Sequence, residues 1–181
     1  MKKALKYFPL VTAVLALAAL IVGLAAPAVI VSEEVAYSGW KSVFGFKEVK
    51  DVIVGEQTFQ YLKFSFWNLL TYILLIAGIA ACVVSFVKPE LSWLGYVAAG
   101  CFTVVAVFFF CSVGLTQAGS VYTLEGNPIE ELIKTQSEAK EAWKLGAGAI
   151  VGAILSILAV LCAAAPPVLA LLEKKKIIKL K

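Results

Sequence analysis

The chain contains no histidine and no arginine. The first absence removes imidazole acid–base chemistry and the commonest metal ligand together, and the second leaves lysine as its basic side chain. Cysteine is scarce: Cys82, Cys101, Cys111 and Cys162 all fall in apolar runs, while the hydrophilic stretches have none. A disulfide framework is therefore not expected. Four long runs also lack Asp, Glu and Lys altogether. Proteins that do chemistry or pump ions inside a membrane usually carry ionisable groups there despite their cost, and the serines of these runs have no base beside them. Outside the runs, Glu130 with Glu131 and Glu48 with Asp51 are neighbours in sequence. The first pair reads as partners of a helix dipole rather than as an acid and a base. No phosphate loop, dinucleotide fingerprint or metal-ligand spacing occurs. The expectation is a protein that is not an enzyme, with no cofactor, no metal and no nucleic-acid partner.

What the sequence has in excess is apolar residues, 61% of its 181, with a mean hydropathy of +0.92. Soluble domains hold about 45–50%. The runs 66–87 and 91–113 each exceed the roughly 18 residues that mark a membrane span, and only Lys88-Pro89-Glu90 lies between them. So short a link makes them antiparallel neighbours with their turn at one membrane face. Runs 8–31 and 145–172 complete four spans in one integral membrane domain covering 1–181. Lysine gives the orientation. Nine Lys face Glu90 and Glu173 at the Lys88 end, while seven Lys meet ten carboxylates at the other. By the positive-inside rule both termini and the Lys88 turn are cytoplasmic, in a multi-pass plasma membrane protein. Ala26-Pro27-Ala28 also matches a signal-peptide cleavage pattern, but the apolar run is long for a signal core and continues to Val31. An uncleaved first span is the expectation, and cleavage near residue 28 is its alternative.

Two outer loops follow, 32–65 and 114–144. The first is rich in Val, Phe, Tyr and Trp and broken by Gly39, Gly45 and Gly55, a composition that favours short strands. Strands are expected at Glu34 to Trp40, Ser42 to Phe46, Asp51 to Val54 and Thr58 to Phe64. So small a sheet is marginal alone, which makes Trp40, Phe44 and Phe46 anchors onto a partner or members of the interfacial aromatic belt. In the second loop Val121 to Leu124 reads as an extra strand. Asn127, Pro128 and Glu130 form a helix start, and one long helix is expected from Pro128 to near Ala165. The last run would be about 42 Å long as a helix against a core of about 30 Å, so it must tilt, kink or protrude, with Pro166-Pro167 the expected break.

Polar residues within the spans are few. Asn68 is the one amide, and it reads as a tie between helices or to the sheet rather than a ligand for a substrate. Small residues recur at fourfold spacing: Gly148, Gly152 and Ser156; Ala77, Ala81 and Ser85; Gly95, Ala99 and Thr103. Such stripes let helices approach closely, within one chain or between copies. The tail carries Lys174, Lys175, Lys176, Lys179 and Lys181, which fix topology or lie on anionic lipid.

Four spans with inside termini, a strand-rich first outer loop and a tight inner turn resemble the claudin-like tetraspan layout, with Gly39-Trp40 echoing the first-loop signature. The paired loop cysteines of that family are missing. The text SGWKSVFGF followed by LKFSFWNLLTYILLI is similar to small four-span membrane proteins of Gram-positive bacteria, a likeness that implies no activity. The expected fold is thus an all-α membrane protein, a four-helix transmembrane bundle with a small extracellular antiparallel β-sheet. Its expected role is structural, adhesive or accessory, acting through outer-loop and lateral helix contacts with membrane lipids, another membrane protein or a homo-oligomer. An oligomeric channel or a small transporter subunit is the alternative, and a lipid-binding accessory protein a third.

Overall fold

A computed structural model describes residues 6–30, 36–52, 55–62, 64–119 and 143–175. Its elements are α1 (Phe8–Ala25), β1 (Pro27–Ile30), β2 (Ala36–Ser38), α2 (Gly39–Phe44), β3 (Phe46–Val52), β4 (Gly55–Leu62), α3 (Phe66–Val87), a 3-10 turn (Pro89–Leu91), α4 (Leu94–Phe110), α5 (Ser112–Gly119), β5 (Lys144–Leu145) and α6 (Ala147–Lys174). Helices α1, α3 and α6 are long and apolar enough to cross a membrane, and α4 with α5 makes a fourth if that bent pair counts as one span. The chain forms two compact units: residues 1–21, 71–109 and 151–181, and residues 22–70 and 110–150.

In the first unit the usual inside and outside are exchanged. Along α6 the residues turned inward are small, Ala153, Ser156, Ala159 and Ala163, while Ile154, Ile157 and Leu161 face out. Helix α1 repeats this, with Ala13, Ala16 and Ala19 inside and Leu10, Val14, Leu17 and Ile21 outside. Large apolar side chains facing outward suit lipid, and small ones facing inward allow close helix packing without a hydrophobic drive between helices. The aromatic residues of α4 fill the notches this leaves. Phe102 is fully buried against the bare face of Gly78, and the Phe109 ring lies 3.0–3.2 Å from where a Cβ on Gly152 would stand. Tyr72 meets Phe109 edge to face at 5.9 Å. Lys6, Pro89 and Pro167 line one cavity, so the start of α1, the α3–α4 turn and the far part of α6 converge in this unit. That convergence agrees with an antiparallel hairpin turning at Lys88.

In the second unit β1 is the centre of a three-stranded antiparallel sheet ordered β2-β1-β5, and β3 pairs with β4 in a separate hairpin. Val29 pairs with Tyr37 on one side and Leu145 on the other. In the hairpin Phe46 pairs with Leu62 and Val52 with Gly55.

Several boundaries differ from the sequence reading. The first apolar run is not one span over 8–31: α1 stops at Ala25 and Pro27–Ile30 forms β1. A residue before proline is pushed out of the α region, and Val29 and Ile30 are β-branched. Run 91–113 is not one straight helix either. It begins with a 3-10 turn, and α5 departs from the direction of α4 by 72° at Cys111. Gly114 follows that point, and glycine is a poor helix former; the buried Ser112 hydroxyl beside the bend has no hydrogen-bond partner among the described residues. Helix α5 also occupies residues expected to begin the outer loop. The expected unbroken helix from Pro128 to near Ala165 is not formed, because Lys144–Leu145 pair with β1 and α6 starts only at Ala147. The strand at Val121 to Leu124 and the helix start at Asn127 lie outside the described residues. Pro166 and Pro167 do not break α6, which stays helical to Lys174. In an apolar medium an unsatisfied backbone group is costly, which favours the helical state on either side of the two prolines.

Candidate interaction surface

The segment Ser38 to Gly45 contains the sequence-chosen anchors, and it is helical where a strand at Ser42 to Phe46 was expected. Ser38 caps α2 by accepting from the Lys41 amide at 3.5 Å. Gly45 ends it with φ 85° and donates its N–H to the Lys41 carbonyl. A positive φ of this kind suits glycine, which has no Cβ to clash. Within these two caps Trp40 and Phe44 sit four residues apart, on one face. Their ring centroids are 4.3 Å apart, and the two residues are 57% and 49% exposed. Ser42 and Val43 are buried on the other face.

A buried polar cluster holds α2 in place. The last carbonyls of a helix lack partners within it, and here two of them are met by the segment that opens α3. The Asn68 side-chain amide donates to the Ser42 carbonyl at 3.1 Å, and the Ser65 amide donates to the Val43 carbonyl at 2.9 Å. Asn68 also donates to Thr116 Oγ1 at 2.9 Å, and Thr116 donates onward to the Ser112 carbonyl at 2.7 Å. Ser65 Oγ donates to the Leu115 carbonyl at 3.2 Å and accepts from the Asn68 amide at 3.4 Å. Ser42, Ser65, Asn68 and Thr116 are all buried. Asn68 therefore ties α2 to α3 and α5, the structural role read from the sequence. Ser65 is the N-cap of α3, with Asn68 at the third helical position; that serine, three residues ahead of the amide at the edge of an apolar run, is the signal that points to it. Nothing local in the sequence marks Ser42 or Thr116, which meet Asn68 from 26 and 48 residues away.

Phe46 stands apart from the other two anchors. It is half-buried, 5.8 Å from the Tyr37 ring, with Lys41 Nζ 4.1 Å above its centroid. A cation so placed is held by the ring's quadrupole, so this aromatic is already engaged within its own unit. Phe64, Phe66 and Trp67 are exposed where the chain enters α3, the last two 5.9 Å apart edge to face. The alternation expected of Leu62, Phe64 and Phe66 ends because β4 stops at Leu62, which is buried.

The small-residue stripes divide. Gly148 lies against the Ala26 and Pro27 backbone in the second unit, and Gly95 against the Ala163 carbonyl and the Pro167 ring in the first. Gly152 takes Phe109, and Ser156 is buried. These four are used within the chain. Ala77 faces outward, and Ala81 and Ala99 are half-buried. Lys175 is exposed and Lys174 ends α6, whereas Lys176, Lys179 and Lys181 lie outside the described residues. The cysteines are free thiols, Cys111 exposed and Cys82 buried.

Fold and surface together define a helical membrane protein with a small antiparallel sheet and a rigidly held aromatic pair. No protein-family model matches the chain, and no curated protein or solved structure matches it either.

Proposed function

We propose that this is a non-enzymatic four-span protein of the plasma membrane, with a claudin-like layout, acting as a structural, adhesive or accessory subunit. Both termini lie on the cytoplasmic side, in keeping with the lysine bias of that end. The Trp40–Phe44 face is its contact with another membrane protein or a second copy. One observation carries this: two large aromatic side chains stay half-exposed while the helix beneath them is capped at both ends and pinned by Asn68 and Ser65. A belt residue at a lipid interface needs no such fixing, because lipid conforms to it. Pre-organised aromatic residues are what contact sites between proteins use, since little entropy is lost on docking. The outward Ala77 face of α3 is the place for lateral contact.

The test is to exchange Trp40 and Phe44 for Ser in the full chain, extract it in mild detergent and measure its oligomer size and any stoichiometric membrane partner. The double variant is expected to reduce that complex at least tenfold, as loss of hot-spot aromatics does. An unchanged complex means the contact lies elsewhere.

A further inference from the structure

We infer that the cavity at the Lys6 and Pro89 end of the first unit is a seat for one anionic, ester-linked glycerophospholipid, its phosphate on Lys6 and one acyl ester on Ser85. The cavity is about 130 Å³, close to the roughly 150 Å³ of an apolar cavity that admits benzene. That is room for about six carbons, the first stretch of an acyl chain and not a whole headgroup. Pro9, Phe86, Pro166 and Pro167 form much of its wall, and a proline ring presents carbon where other residues present an N–H.

Lys6, Ser85 and the exposed Ser92 break this apolar lining, and the first two carry the proposed contacts. Lys6 is exposed, and it contributes a cation to the lining. Ser85 lies one turn into α3 from Lys88, is only 9% exposed and also lines the cavity. Thr12, Thr103 and Ser156 in the same unit each donate to the carbonyl four residues earlier, at 2.8, 2.8 and 2.7 Å. Ser85 makes no such bond, and its hydroxyl has no hydrogen-bond partner among the described residues. The Ser85 hydroxyl is thus available at the cavity wall to donate to an incoming acceptor. In a glycerophospholipid the ester carbonyls lie next to the phosphate, so one lipid can meet both Lys6 and Ser85, which line the same cavity. A zwitterionic lipid would bring its own cation against Lys6; an anionic one would not.

This inference shares the membrane reading with the proposal above but does not depend on the Trp40–Phe44 contact. The full chain is placed in bilayers holding equal amounts of dioleoyl phosphatidylglycerol and dioleoyl phosphatidylcholine, released in mild detergent, and its retained lipid counted by native mass spectrometry. Phosphatidylglycerol is expected to be retained about fivefold over phosphatidylcholine, the preference that one lysine near an anionic group provides. Lys6→Gln should bring that ratio near one. Ester-linked phosphatidylglycerol should outlast its ether-linked analogue on the native chain, and Ser85→Ala, which adds no bulk, should erase that difference. Equal retention of the two headgroups by the native chain overturns the inference. So does a loss for Lys175→Gln, an exposed lysine outside the cavity, equal to that for Lys6→Gln, because the preference would then be one of surface charge alone. Equal retention of ester and ether lipids by the native chain removes Ser85 from the site.

Discussion

Gly146→Ala is expected to destabilise the protein by about 3 kcal/mol, the upper part of the range for overpacking, and to detach β5 from the sheet. The reason is what surrounds the position. A Cβ there would run into the Pro27 carbonyl, and its other nearest neighbours, the Pro27 and Ala28 carbonyl carbons, stand at 2.6 and 2.9 Å. All three atoms belong to the backbone of β1, so no rotamer can make room. Gly146 also donates its N–H to the Ala28 carbonyl at 2.9 Å and accepts from Ala149 and Ile150 as the N-cap of α6. One methyl group therefore forces apart the strand pairing and the start of a 28-residue helix. The measurement is unfolding in mixed detergent micelles at rising dodecyl sulfate. Gly100→Ala is the comparison, since a Cβ on Gly100 meets nothing within 4 Å. In the middle of α4 that change should be neutral or stabilising by up to about 1 kcal/mol, the helix-propensity difference between the two residues. If both variants behave alike, the close approach of Gly146 to β1 is not what holds this sheet.

The positions of the apolar helices were legible because runs without charge have one physical outcome in lipid, where backbone polar groups must be satisfied within the segment. Helix α3 matches run 66–87 at both ends, since Ser65 caps it and Lys88-Pro89 stops it. Composition could not show where an apolar run leaves the helical state. Val29 and Ile30 are as apolar as the residues of α1, yet they pair with Tyr37 and Ala36, and with Leu145 and Lys144. Those partners are between 6 and 116 residues away in the chain, and Ala28 and Val29, successive residues on opposite faces of β1, are both buried, so no alternation betrays the strand. For the same reason Lys144–Leu145, a strand of two residues, has no local signal at all.

At the candidate surface residue type marks Trp40 and Phe44, while the element that carries them is a helix and not the expected strand. Val43, Phe44 and Phe46 have strand propensity, but Ser38 and Gly45 are spaced as a helix cap and stop with six residues between them, and this local pair overrode propensity. That difference matters for the contact. On a strand, Trp40 and Phe44 would share a face with Ser42 between them; on α2 they stack directly, and Ser42 turns inward to meet Asn68.

Replacing Asn68 with Leu tests the other half of this arrangement and should cost about 2–3 kcal/mol. Leucine is close in size, so little of the loss is cavity; what disappears is the donor. Asn68 is 5% exposed, and without its amide the Ser42 carbonyl stays buried with that bond unmade, a penalty of about 1–3 kcal/mol. Thr116 loses one neighbour but keeps the Ser112 carbonyl as its acceptor, so the damage should concentrate on α2. The readout is amide hydrogen exchange over 39–45, expected to accelerate about thirtyfold for a local loss near 2 kcal/mol, with exchange in α6 unchanged. Thr103→Val is the control: Thr103 is exposed and bonded only to the Ala99 carbonyl of its own helix, so its loss should stay within about 0.5 kcal/mol. On the proposed reading, in which the Trp40–Phe44 pair makes its contact only while α2 is held, Asn68→Leu should weaken the same complex as the aromatic double variant with Trp40 and Phe44 both still present. If exchange rises and the complex survives intact, the pair binds without being pre-organised, and the pinning of α2 serves folding alone.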